Sequence, residues 1–232
     1  MRALLLAAGL GTRLRPLTDR VPKCLVPIHG KPLLEYWFDL LLSGPVETAL
    51  VNTHYLPDTV RTFVAQSAWR SRITLVHEET LLGTGGTVLK NRRYFEDSAF
   101  MVVHADNLSR FDVTAFVERH IHRPAGAEIT MMTFKTDVPE TCGIVEEDVQ
   151  GLVVGFHEKV PNPPGNLANG AVYIFEPSVI DFISSLGRPV IDLSTEIIPH
   201  YVGRMCTYLN TGYHRDIGTL EGLRRAEAEY VA

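Results

Sequence analysis

The chain has 232 residues, 45% of them hydrophobic and 21% charged, with a formal net charge of −5. That is enough for one sizeable α/β domain with a large core. The acidic balance, with no Lys/Arg stripe, argues against a nucleic-acid partner. No apolar run approaches the roughly 20 residues of a membrane span. Residues 1–10 lack the basic and apolar regions of a signal peptide. Cys24, Cys142 and Cys206 are too far apart in sequence for a disulfide framework or a zinc site, and fit a reducing cytoplasm.

The first predicted element is a buried strand over Ala3–Ala8. It opens into Gly9–Leu10–Gly11–Thr12–Arg13, and Pro22–Lys23 follows ten residues on. Glycines let a backbone bend tightly and bring its N–H groups close to a phosphate, and two cations nearby can neutralise it. The dinucleotide fingerprint does not fit, since Leu14 stands at the third glycine and Glu35 lies in a predicted helix. The Gly-Lys-Ser/Thr ending of the ATPase loop is also missing. Pro32 starts a helix with Leu33, Trp37, Leu40 and Leu41 inward, closed by Gly44–Pro45. A strand over Thr48–Asn52, a helix from Pro57 and a short strand over Ile73–Val76 follow.

Gly83–Thr84–Gly85–Gly86 reads as a turn running into a helix over Val88–Tyr94, with free N–H groups for a ligand. Ala99–Val103 is an apolar strand ending in His104–Ala105–Asp106–Asn107. An acid just past a buried strand is where open α/β sheets gather ligand groups. A helix from Asp112 follows, with Val113, Phe116, Val117 and Ile121 on one face. His120 and His122 would point apart on it and read as surface residues. Strand–helix alternation to this point implies a mostly parallel, covered sheet.

The second half carries strands over Ile129–Phe134, Gly143–Glu146 and Leu152–Phe156, then Phe156–His157–Glu158–Lys159 and Ala168–Asn169–Gly170–Ala171–Val172–Tyr173. Helices follow over Pro177–Ser185 and from Asp192. The last block is Tyr213–His214–Arg215–Asp216–Ile217–Gly218–Thr219, leading into an amphipathic helix.

The G-x-G-T-R…P-K stretch resembles the signature of the sugar-1-phosphate nucleotidylyltransferases (NDP-sugar pyrophosphorylases), and the resemblance runs along nearly the whole chain. Gly83–Gly86 is similar to the family's L-G-T-A-G loop, with Gly85 for the alanine. His104–Asp106 is similar to its Gly-Asp, with Ala105 for the glycine. Glu158–Lys159–Val160 departs from Glu-Lys-Pro at the proline. Asn169–Gly170–Ala171 swaps the order of Asn-Ala-Gly. His214 stands near the usual tryptophan of Trp-x-Asp-Ile-Gly-Thr. The resemblance leaves no room for the C-terminal β-helix of some relatives.

The implied fold is a single-domain, Rossmann-like (glycosyltransferase-A-like) mixed and mostly parallel sheet with helices on both faces. Its nucleotide part would be about residues 1–125 and its sugar part about 126–232. The implied reaction joins an NTP to a sugar 1-phosphate, giving an NDP-sugar and pyrophosphate. The nucleophile arrives ionised, so the task is positioning and charge stabilisation. Arg13, with its planar fork, is expected on the β/γ-phosphates, and Lys23 on the triphosphate during transfer. Ala8, Gly9, Gly11 and Thr12 would supply backbone contacts. Gly83 and Thr84 would lie in the loop that meets the base. Lys159 would hold the sugar phosphate, with Glu158, Asn169 and the Gly143 backbone on the sugar. Asp106 and Asp216, each ending a predicted strand at one sheet edge, would bind Mg²⁺. Without a cation the two would repel and one would take up a proton.

The short chain and its Asp-Ile-Gly-Thr ending look most like the mannose- or heptose-1-phosphate guanylyltransferase branch. Uridylyl- and thymidylyltransferases acting on other hexose or N-acetylmuramate phosphates share much of the pattern. An inactive, regulatory NDP-sugar-binding protein would have lost Arg13, Lys23 or an aspartate, and all are present. A glycosyltransferase would want Asp-x-Asp where Asp106–Asn107–Leu108 stands. Homo-oligomerisation is left open.

Overall fold

The structure is a computed structural model that describes residues 1–95 and 97–231. It forms two compact units. The first comprises Met1–Leu81, Val103–Val113 and Gly212–Ala232, and the second Leu82–Val102 and Thr114–Thr211.

In the first unit the strands Arg2–Leu6, Thr48–Thr53 and Ile73–His77 pair in parallel, with Leu4 opposite Leu50 and Leu50 opposite Thr74. The helices Leu33–Leu42 and Pro57–Gln66 make the crossovers. Parallel strands require such connections. Ala3, Leu4 and Leu5 are fully buried, as are Leu33, Leu34, Phe38 and Leu41 on one stripe of the first helix. Trp37 belongs to that core, and its indole N–H donates to Asn107 O at 2.8 Å. Pro57 sits in the first turn of its helix, where a missing N–H costs nothing.

This unit also holds a short antiparallel ribbon, Pro27–Ile28 with Lys31–Pro32, and a longer one, Asn107–Arg110 with Tyr213–Asp216, followed by the helix Leu220–Glu229. Thr219 caps that helix by accepting from Gly222 N. The longer ribbon corrects one expectation. Asp216 does not end a strand of the parallel sheet. It reaches its position by antiparallel register opposite Asn107, one residue from Asp106.

In the second unit Ile129–Lys135 pairs antiparallel with Leu167–Phe175 and parallel with Met205–Leu209. Gly143–Glu147 and Val153–Glu158 form a hairpin, joined to the third strand through Ala168 opposite Ile144. The strand Leu167–Phe175 is irregular between Asn169 and Tyr173, and Ala171 there has φ +53°. Parallel and antiparallel pairing thus mix, as expected of this Rossmann-like α/β fold.

Three local expectations change in the second unit. The helix expected over Val88–Tyr94 spans Gly83–Lys90, so the glycines are its first turn. Ile121, expected inward, is 64% exposed. His120, expected on the surface, is buried: Nδ1 lies 2.8 Å from Thr130 Oγ1, and Nε2 lies 3.0 Å from Glu176 Oε1. A buried imidazole needs partners for both nitrogens, and the threonine and glutamate supply them. Among the described residues, no helix is long and apolar enough to cross a membrane.

Candidate active site

The first unit gathers eight of the residues singled out from the sequence. After the strand Arg2–Leu6 the chain leaves the sheet, and Ala7 N donates to Asn52 Oδ1 at 2.7 Å. The backbone N–H groups of Ala8, Gly9, Leu10, Gly11 and Thr12 donate to nothing among the described residues. A Cβ built on Gly9 would meet nothing within 4 Å, so that stretch of backbone is open. Gly11 is different. Its φ is +63°, and a Cβ there would press on Thr18 and on Lys23 Cβ at 3.0–3.1 Å. The buried Thr18 fixes the turn, its hydroxyl donating to Gly11 O at 2.7 Å. Arg13 then lies on the short helical turn Thr12–Leu14, with its side chain exposed.

Lys23 starts another short turn, Lys23–Leu25, after Pro22. Its side chain is only 7% exposed, and a buried ammonium must be paired. Nζ donates to Asp106 Oδ2 at 2.6 Å and lies 3.7 Å from Asp216 Oδ1. Ala105 N donates to Leu6 O, which anchors the turn bearing Asp106 to the end of the opening strand. Gly218 N donates to Asp216 Oδ1 at 2.6 Å and holds the second carboxylate. A Cβ on Gly218 would lie 2.8 Å from Arg13 Nη2, 2.8 Å from Asp216 Oδ1 and 3.0 Å from Lys23 Nζ. Two cations and a carboxylate therefore converge over a glycine that leaves them room.

The electrostatics follow from this geometry. Burial alone would push the Asp106 carboxyl up. The Lys23 ammonium beside it, with a smaller contribution from His104, outweighs this and holds the group below the usual carboxylate range. Lys23 supplies the cation between the two carboxylates. The carboxylates are 43% and 57% exposed, so their outer edges can still receive a ligand. Next along the ribbon, the Ser109 hydroxyl and His214 Nδ1 are 2.6 Å apart across the register. Burial lowers the His214 imidazole to about 3, so it is neutral.

Among the described residues, no group of three or more His, Cys, Asp or Glu side chains converges as a metal cage. Two carboxylates are nevertheless the donor set Mg²⁺ commonly takes from a protein, with phosphate oxygens and water completing its octahedron. Asp106 and Asp216 fit that ion.

Sequence reasoning missed Thr18, Asn52 and Glu78. Asn52 is 2% exposed and Glu78 1%, and Asn52 Nδ2 donates to Glu78 Oε1 at 3.2 Å. Together they hold the first amide of the glycine loop. An asparagine inside an apolar strand was the available signal, since a buried amide must be satisfied.

The second unit holds the other six residues. Gly143 and Glu158 face each other in the hairpin. A Cβ on Gly143 would come within 2.6 Å of Glu158 Oε2 and 2.7 Å of the Phe156 ring. Lys159 has φ +48°, its N donates to Cys142 O, and its Nζ is 3.2 Å from Glu158 Oε1. The Lys159 side chain is exposed. Asn169 spends its side chain locally, donating to Tyr173 Oη at 2.7 Å and accepting from Ala171 N at 2.8 Å.

Gly83 and Thr84 begin their helix against the segment 189–193. Gly85 N and Gly86 N both donate to Ile191 O, at 2.9 and 3.2 Å. The Thr84 hydroxyl accepts from Leu193 N at 2.7 Å and donates to Asp192 Oδ2 at 3.3 Å. Cβ atoms on Gly83 and Gly86 would collide with the carbonyl oxygens of Ile191 and Pro189 at 2.4 and 2.1 Å. The donors expected to be free at Gly85 and Gly86 are thus already used.

Comparison with known proteins completes the picture. A mannose-1-phosphate guanylyltransferase of Mycobacterium tuberculosis is 33% identical over 99% of this chain and 64% of its own length. A UTP--glucose-1-phosphate uridylyltransferase of Synechocystis is 32% identical over 87% of this chain and 55% of its own. The chain therefore spans less than two thirds of either relative. HddC of Yersinia pseudotuberculosis, solved with GMP-PN, shares the fold with a TM-score of 0.80 at 24% identity, covering 99% of both chains. The Nucleotidyl transferase family profile matches residues 2–232, and the chain belongs to that family.

Proposed function

We propose that this chain transfers a nucleotidyl group from an NTP to a sugar 1-phosphate, releasing pyrophosphate. The single observation carrying this reading is the convergence of Arg13, Lys23, Asp106 and Asp216 beside a loop whose amides are unspent. A nucleoside triphosphate is a polyanion, and such a site matches it. The sugar-phosphate oxygen forms a bond to the α-phosphorus. The bond from that phosphorus to the α,β-bridging oxygen breaks, and pyrophosphate leaves with the electron pair. The nucleophile is already an anion, so no side chain needs to remove a proton.

Each residue then has a task. The amides of Ala8, Gly9, Gly11 and Thr12 line the phosphates. The Arg13 guanidinium takes two β/γ oxygens at once, which an ammonium cannot do. Lys23 offsets charge on the triphosphate as pyrophosphate departs. Asp106 and Asp216 would hold Mg²⁺, which supplies neutralisation of phosphate charge. Gly83 and Thr84 remain the base-side contact in this reading. On the other substrate, Lys159 meets the sugar phosphate, while Glu158, Asn169 and the Gly143 backbone face the sugar. Three well-separated cysteines fit work in a reducing cytoplasm.

The names of the relatives favour guanylyl transfer to mannose 1-phosphate, with uridylyl transfer to glucose 1-phosphate as the second reading. The test is a panel of the purified protein with Mg²⁺, each of GTP, UTP, dTTP, ATP and CTP, and mannose, heptose, glucose or N-acetylmuramate 1-phosphate. Pyrophosphate release is followed in each. Release with GTP and mannose or heptose 1-phosphate is expected. Release only with UTP or dTTP moves the specificity. No release with any pair, from a protein that still binds an NDP-sugar, makes the chain a binding protein and overturns the reading.

A further inference from the structure

The carboxylate pair proposed for Mg²⁺ is held together by a side chain of the protein itself. Lys23 Nζ lies 2.6 Å from Asp106 and 3.7 Å from Asp216, in a position a cation would occupy. The ammonium is buried, so it is not a loosely tethered surface charge. A divalent ion placed against the same oxygens would face a like charge a few ångströms away.

We infer that Lys23 is the resident counter-ion of Asp106 and Asp216, and that a triphosphate chain admits Mg²⁺ by drawing the ammonium off the pair. This rests on the reading of those two aspartates as the metal pair. The local geometry brings the incoming phosphates to the ammonium. Lys23 Nζ and Arg13 Nη2 already close in over Gly218, where a Cβ would lie 3.0 and 2.8 Å from them, and the amides of residues 8–12, unspent among the described residues, lie in the loop that carries Arg13. Phosphate oxygens arriving there offer Lys23 a new partner. The pair then gives up its ammonium as it takes the metal. Exchange of one cation for another avoids ever leaving two carboxylates or a buried ammonium unpaired. It also makes triphosphate and metal binding mutually reinforcing, each raising the affinity for the other by the same factor.

A pair masked about nine-tenths of the time loses about tenfold in apparent affinity. Mn²⁺ binding to the nucleotide-free protein, followed by water-proton relaxation enhancement, measures that mask directly. The proteins are the wild type, Lys23→Met, Lys23→Gln, Lys23→Arg and the double variant Lys23→Met/Asp106→Asn. The neutral variants are expected to bind Mn²⁺ at least about tenfold more tightly than the wild type. Lys23→Arg should stay weak, and the double variant should return to weak binding. Neutral variants no tighter than the wild type would overturn the exchange. Tight binding that survives Asp106→Asn would show the metal on other ligands and overturn it too.

If the neutral variants fail to fold by circular dichroism, the wild type decides. Mg²⁺ alone should leave its Tm unchanged. With inorganic tripolyphosphate present, Tm should rise with Mg²⁺ beyond the effect of tripolyphosphate alone. Equal stabilisation by Mg²⁺ alone contradicts the exchange. None of these readouts needs turnover, so a failed nucleotidyl-transfer assay and a failed exchange are separate results.

Discussion

Gly9–Thr12 in the first unit and Gly83–Gly86 in the second are both glycine-rich turns between a strand and a helical segment, and from sequence they look equivalent. In the first, the amides of residues 8–12 are unspent among the described residues, and a Cβ on Gly9 would meet nothing. In the second, two amides donate to Ile191 O, and Cβ atoms would run into the backbone of Pro189 and Ile191. One set of glycines leaves donors exposed. The other lets a helix start press against a neighbouring segment. Glycine in a turn therefore does not by itself say what the backbone approaches: in the second turn it is the protein's own chain, and in the first the backbone stands open.

Substitutions that add a single methyl group should separate the two turns most sharply. Gly86→Ala forces a side chain into the Pro189 carbonyl and is expected to cost about 3 kcal/mol or more in urea unfolding. Gly9→Ala should change stability by no more than about 0.5 kcal/mol. Equal, small effects at both positions would erase the distinction.

The next largest effect concerns the ionic cluster in the first unit. Asp106→Asn and Asp216→Asn should each keep the far-UV circular dichroism spectrum and lose about 100-fold or more in turnover. Because the two share one role, the double variant should be little worse than either single. Wild-type rates with unchanged Mg²⁺ dependence would make that aspartate structural.

Arg13→Lys retains the charge and loses the fork. It should cost at least about tenfold in kcat/KM, about 1.4 kcal/mol. A near-wild-type value would leave Arg13 as a surface residue.

The smallest effect probes how fully the second unit satisfies its own polar groups. Burial lowers the His120 imidazole below its ordinary 6.5, with Arg123 adding to this and Glu176 opposing it. The folded state therefore takes up a proton less readily than the unfolded state, which does so near its ordinary pKa. The stability tied to this group is therefore complete above about 6.5 and is lost as pH falls below it. The loss can be no steeper than about 1.4 kcal/mol per pH unit for one proton. Urea unfolding of wild type and His120→Gln at several pH values should show a shallower acid slope in the variant, and identical slopes would contradict it.

Much of the fold was readable because its signals are local. Apolar runs placed strands over Ala3–Ala8 and Ala99–Val103, where the structure has Arg2–Leu6 and Phe100–His104, and Pro57 and Pro177 marked helix starts that stand where expected. What could not be read depends on partners distant in sequence. Asp106 and Asp216 both come within 4 Å of Lys23 Nζ, but not through a shared parallel sheet edge, since nothing in residues 213–216 announces an antiparallel partner at 107–110. His120 looked like a surface histidine because its companions, Thr130 and Glu176, come from other elements. The ammonium between the carboxylates was missed likewise. Lys23 was assigned to the triphosphate alone, and only the folded chain brings it to 2.6 Å from Asp106.

The most direct measurement is a ¹H–¹⁵N correlation spectrum of the wild type titrated with inorganic tripolyphosphate, read at the two turns. The amides of Gly9, Leu10, Gly11 and Thr12 should shift and gain protection from exchange, while those of Gly85 and Gly86, already bonded to Ile191, should stay in place. Shifts confined to Gly85 and Gly86, or absent from residues 9–12, would contradict the assignment of the first glycine loop as the phosphate cradle.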